Sequence, residues 1–145
     1  MMPTEQTLQW VADFVIRHAL CPFAAVPFKE GKVGAEVINS EDFEEAFYAA
    51  LAQVPSLLDV APDTLETTLL VLPGDLLSDF ETFLDFVYTF EEALAETGAD
   101  ELIQLAHFHP NYCFEDVAED DPGNLTNRAP LPVLQLLRTG SVAAV

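Results

Sequence analysis

The sequence predicts an α/β fold: a single-domain sandwich over residues 1–145, with a small, mainly parallel three- or four-stranded sheet flanked by helices. Three observations carry this prediction. Short apolar runs suited to strands stand at Val33–Ile38, Thr67–Leu72 and Glu101–Phe108. Longer segments with apolar residues at helical spacing separate them. Strands that alternate with helices in this way join through crossovers, and crossovers make parallel sheets.

Each element has its own signal. Thr4 reads as the cap of a first helix with Leu8, Val11, Ala12, Val15 and Ala19 along one side, ended by Pro22. An extended arm with a turn at Gly31 follows, offering an antiparallel edge from Ala24 to Phe28. Ser40, Glu41 and Asp42 start a second helix, whose stripe is Phe43, Ala46, Phe47, Ala50, Leu51 and Val54. Pro55 and Pro62 bracket a loop. Thr67–Leu72 is almost continuously apolar, as a strand buried on both faces should be. Ser78 and Glu81 form a capping box for a third helix along Phe80, Phe83, Leu84, Val87 and Leu94, where Glu91 is a misfit and Phe90 turns to the core. Gly98 closes it. Leu131–Arg138 reads as a short last helix with Pro132 in its first turn.

Composition narrows the function. A formal charge of −20 opposes binding to nucleic acid or to an anionic membrane surface, since both repel an acidic protein. There is no signal-peptide pattern and no run long enough to span a bilayer, so the expected location is the cytoplasm, with Cys21 and Cys113 reduced. The five basic residues are Arg17, Lys29, Lys32, Arg128 and Arg138; none lies between Val33 and Asn127. If the two ends of the chain meet, they form an electropositive spot suited to a small anionic metabolite.

In open α/β sheets ligands sit beyond the carboxyl ends of the strands. That edge gathers Asn39 and Ser40, Pro73 to Asp75, and His107, His109 and Pro110. The segment from Asn111 to Ala129 leaves from the same edge without a helical or strand period, and loops of that length are usually functional. Asp121-Pro122-Gly123-Asn124 marks a turn within it. His109, held extended by Pro110, suits a general acid or base, or equally a structural histidine bonded to the loop. His107 and His109 share a face, but without a clear third ligand they point to no metal, and no cofactor is expected. Cys113 could complete such a set or fill a small buried hole. Cys21 at a helix carboxyl end is disfavoured as a thiolate, so it is a site wall or a nucleophile only with help. Arg128 is the best anion-binding residue, with Asn124, Thr126 and Asn127 as neutral donors beside it; the alternative is an ion pair pinning the loop.

Taken together, Leu20-Cys21-Pro22-Phe23-Ala24, Phe108-His109-Pro110 with Tyr112 and Phe114, and Asn124 with Thr126-Asn127-Arg128, Pro130 and Pro132 resemble a bacterial family of unknown function, DUF1415. The resemblance covers nearly the whole chain. It implies a cytoplasmic α/β protein whose motif positions include Cys21, Pro22, Phe23, His109, Pro110, Tyr112, Asn124, Thr126, Asn127 and Arg128; His107 and Cys113 fall outside them. This chain departs from the family pattern at Leu125 and Leu131, where an aromatic is usual, at Ala129, where a hydroxyl is, and at Gln135 and Thr139, where a His and a Glu stand. A final helix usual in similar proteins would extend past Val145. The resemblance supplies no reaction. The reading that follows is an enzyme acting on a small anionic metabolite, with His109 and Cys21 catalytic and Tyr112, Asn124, Thr126, Asn127 and Arg128 binding. The alternatives are a non-catalytic binding module and a protein-interaction module.

Overall fold

The structure is a computed structural model that describes residues 3–10, 33–61 and 64–140. Helices α1 (Pro3–Trp10), α2 (Phe43–Leu58) and α3 (Phe80–Thr97) accompany strands β1 (Val33–Val37), β2 (Thr67–Val71), β3 (Ile103–Phe108) and β4 (Val133–Arg138). Short 3₁₀ turns stand at Asp75–Ser78, Ala99–Glu101 and Pro122–Asn127. The expected edge at Ala24–Phe28 and the helix end at Pro22 lie outside the described residues.

The sheet is mixed, which corrects the mainly parallel expectation. Its order is β1-β2-β4-β3, with β1 parallel to β2 and β4 antiparallel to both β2 and β3. The source of the error is the predicted last helix: Leu131–Arg138 instead supplies β4, a central strand. Its Val-Leu-Gln-Leu-Leu-Arg sequence is buried along almost its whole length, so it lacks the polar–apolar alternation that marks a half-exposed strand. Leu favours helices locally; pairing on both sides overrides that preference. Pro132 sits just ahead of the strand, where a missing N–H costs no ladder bond, and its carbonyl accepts the Leu72 N–H at 2.9 Å. Because β4 opposes both neighbours, β1, β2 and β3 still run in one direction. Their carboxyl ends therefore share an edge, as expected.

The larger core lies on the face covered by α2 and α3. Ile38, Leu70, Leu72, Ile103, Leu134 and Leu136 from the sheet pack there against Ala46, Ala50, Val54, Phe83, Phe86, Phe90 and Leu94. The opposite face buries Leu69, Ala129 and Val133 beneath Leu8 and Trp10 of α1, and Trp10 meets Phe108 edge-on at 5.1 Å. Gln135 also points to that face from the centre of the sheet, where it donates to Thr67 Oγ1 at 3.2 Å.

Local details move several helix boundaries. Thr4 lies inside α1 rather than capping it. Asp42 caps α2, accepting the Glu45 N–H at 3.1 Å, and the helix continues through Pro55 to Leu58 instead of ending there. Pro55 is exposed, and the loss of one intrahelical bond is outweighed by burial of Val54 and Leu57 on either side. Asp79, not Ser78, caps α3, taking the Thr82 N–H at 3.0 Å. Gly98 ends that helix at φ 78°, a left-handed position where a side chain would be strained, and Glu91 is exposed while Phe90 is buried.

Candidate functional site

At the described part of the carboxyl edge the connections that follow the strands are braced against one another. Between β1 and β2, the Glu41 carboxylate accepts the N–H groups of Asp75 at 3.1 Å and Leu76 at 3.2 Å, tying one connection to the next. Gly74 permits that approach, since a Cβ there would stand 2.7 Å from Glu41 Oε1. The gap beneath, lined by Ile38, Ser40, Leu72 and Leu77, has no room for a water molecule.

His109 follows β3 and is fully buried, with its ring against Phe80 and Phe83 at centroid distances of 5.2 and 5.1 Å. Its Nδ1 accepts the Asn111 N–H at 3.0 Å, which leaves the proton on Nε2, and Nε2 donates to the Leu77 carbonyl at 2.9 Å. Burial pushes its pKa below the ordinary imidazole value, opposed by the Leu77 carbonyl, the Asp79 carboxylate and the Ser78 backbone. The imidazole thus joins the Leu77 turn to the Asn111 turn as a neutral bridge. His107, on the same face of β3, is also held below its ordinary pKa by burial, and its Nδ1 has no partner. Its ring lies 5.5 Å from that of Tyr112.

The loop beyond His109 is organised by its own polar side chains. Fully buried Asn124 accepts the Phe114 N–H at 2.9 Å through Oδ1 and donates through Nδ2 to the carbonyls of Ala118 at 2.9 Å and Glu119 at 3.3 Å. Asn127 Nδ2 donates to the His107 carbonyl at 3.0 Å, while the Asn127 carbonyl accepts the His109 N–H at 3.0 Å. The predicted turn closes with the Asn124 N–H on the Asp121 carbonyl at 3.1 Å. Tyr112 is buried against Phe80 and Phe114, and burial raises its pKa, with Tyr88 adding to the effect. Cys113, half-buried, directs its thiol to the Val117 carbonyl at 3.2 Å.

Arg128 completes this framework. Its Nε donates to the Tyr112 carbonyl at 2.9 Å and its Nη2 to the Glu119 carbonyl at 2.6 Å. Neither acceptor is a carboxylate. Among the described residues, the ion pair weighed from sequence is replaced by two carbonyl bonds that hold the guanidinium in place without neutralising it.

His109, Tyr112, Asn124, Asn127 and Arg128 therefore come together around one loop. Cys21, Pro22, Phe23, Arg17, Lys29, Lys32 and the side chain of Thr126 lie outside the described residues. The two described arginines do not meet. Arg128 precedes β4 and Arg138 ends it, so a strand about 20 Å long separates them. Arg138 is nearly buried, and its Nη2 lies 2.7–2.8 Å from the carbonyls of Leu57, Val60 and Leu65, capping the carboxyl end of α2. Among the described residues no group of three His, Cys, Asp or Glu could hold a metal ion, and no helix is long and apolar enough to cross a membrane.

Sequence reasoning missed one feature altogether. At the opposite, amino edge of the sheet, an open groove of about 460 Å³ runs between the carboxyl-terminal halves of α2 and α3. The only sequence signal for it is the change along α3 from Phe83, Phe86 and Phe90 to Ala93 and Thr97.

Comparison with known proteins agrees with the resemblance in the motifs. Residues 3–145 match the family described as a protein of unknown function, DUF1415, and the chain belongs to that family. Neither a curated protein nor a solved structure matches it.

Proposed function

We propose that this DUF1415 chain is a non-catalytic binding module that takes a small phosphate- or carboxylate-bearing metabolite at the loop carrying Arg128. The observation behind this reading is the state of that guanidinium. In a chain with 25 acids against five Lys and Arg, it is fixed by two carbonyl oxygens and keeps its charge for an incoming anion. The bonds of His109 favour binding over acid–base chemistry: for Nδ1 to take a proton, the Asn111 N–H would have to be released.

Thermal shift tests the proposal. Inorganic phosphate, citrate and glycerol phosphate are compared with chloride at equal ionic strength. An anion at about a hundred times its dissociation constant adds about 2.7 kcal/mol to stability, enough to raise the melting temperature by several degrees. Arg128→Gln should melt lower without ligand and lose the response. A wild-type response no larger than that to chloride rejects the anion site. The interaction reading would then gain ground, since Phe114 and Leu125 stand 38% and 48% exposed on the same self-braced loop.

A further inference from the structure

The amino-edge groove follows from the order of side chains along α3. Over the first three turns of that helix, Phe86 and Phe90 reach α2 and meet Phe43 and Phe47 edge-on, with centroids 5.4–6.0 Å apart. Beyond Phe90 the residues facing α2 shrink to Ala93, Leu94 and Thr97, and the space between the helices is left unfilled. Leu51, Val54 and Leu58 form the opposite wall, and Leu102, 57% exposed, stands at the end. From Leu51 to Leu58 the groove is about 10 Å long, or two helical turns.

Its surroundings are acidic. Asp59, Glu96, Asp100 and Glu101 are exposed, and each is a sequence neighbour of a lining residue: Leu58, Thr97, Ala99 and Leu102. No basic residue occupies the last turn of α3, so the helix itself supplies no counter-charge to the negative end of its dipole. Arg138 bonds to the carbonyls at the end of α2. An apolar trough with an anionic border repels a second copy of a −20 chain and an anionic lipid surface alike. It complements a helix with apolar side chains at i, i+3 or i+4 and i+7 between flanking Lys or Arg.

We infer that the groove between α2 and α3 is a docking site for a basic amphipathic helix of a partner protein. The probe is a fluorescein-labelled fourteen-residue peptide with Leu at those spacings and Lys elsewhere, its affinity read by fluorescence polarisation. Two control peptides carry the same composition scrambled, or Glu in place of Lys. The patterned Lys peptide should bind at least about tenfold more tightly than either control. Leu102→Ser, which removes an exposed apolar contact, and Glu96→Lys with Asp100→Lys, which reverses the border charge, should each weaken it about fivefold. All of these substitutions are at exposed positions, and circular dichroism confirms the fold. Equal binding of the scrambled peptide would mean adsorption by charge alone. Equal binding of the Glu peptide would mean an apolar site indifferent to charge, and unchanged affinity in both variants would place the peptide elsewhere. Each of these results overturns the inference, as does failure of the patterned peptide to bind.

Discussion

The two ends of the sheet solve opposite problems. At the carboxyl edge a long irregular loop brings many backbone N–H and C=O groups against a packed core, and each needs a partner. Among the described residues, Asn124, Asn127, His109 and Arg128 supply many of those partners, and the loop is braced by its own side chains. At the amino edge two regular helices satisfy most of their own backbone groups, and one side chain, Arg138, bonds the carbonyls left at the end of α2. What is left there is a difference in side-chain size, and it leaves the groove open. Among the described residues, polar motif residues thus mark where backbone must be satisfied, while the groove lies where none of them stands. A dense motif and a vacant site need not coincide.

The strongest way to break this contrast is at Asn124. Asn124→Ala leaves the Phe114 N–H and the Ala118 carbonyl without their partner inside the loop. A loss of about 3 kcal/mol is expected by urea denaturation, because unsatisfied buried groups cost more than a hydrogen bond contributes. A loss below about 0.5 kcal/mol would mean that the loop does not depend on this bracing.

Acid should distinguish the edges next. His107 and His109 have folded pKa values held below the ordinary 6.5. As pH falls below that value the unfolded chain takes up protons that the native state refuses, so stability declines from there toward the folded pKa values. Above the ordinary value the two states bind alike and this contribution is flat. His109→Gln should reduce the slope without abolishing it, since His107 remains; chemical denaturation at pH 7.5, 6.5 and 5.5 measures it. A wild type equally stable at all three would contradict the buried neutral bridge.

Arg128→Lys should have the smallest effect, about 1–2 kcal/mol, because an ammonium keeps the charge but cannot reproduce the Nε and Nη2 pair of bonds. A variant as stable as wild type would show that the loop does not rely on this planar donor.

Much of the molecule is legible from residues close together in sequence. Gly98, the Asp121–Asn124 turn, the Phe stripes of α2 and α3 and the first three strands follow from local geometry and periodicity, which act within a few residues. The same locality explains the gathering of His109, Tyr112, Asn124 and Arg128, which lie on one short stretch of chain. Tertiary structure alone decided what that gathering is made of: Leu77 accepts from His109 across 32 positions, a bond with no sequence signature. It also turned Val133–Arg138 into the strand between β2 and β3, separated Arg138 from Arg128, and set Ala93 opposite Leu51 and Leu58 to open the groove. The physical reason is common to these cases. Caps, turns and amphipathic stripes are fixed by neighbours along the chain, whereas strand partners, buried hydrogen-bond acceptors and unfilled volume depend on residues that meet only when the sheet assembles.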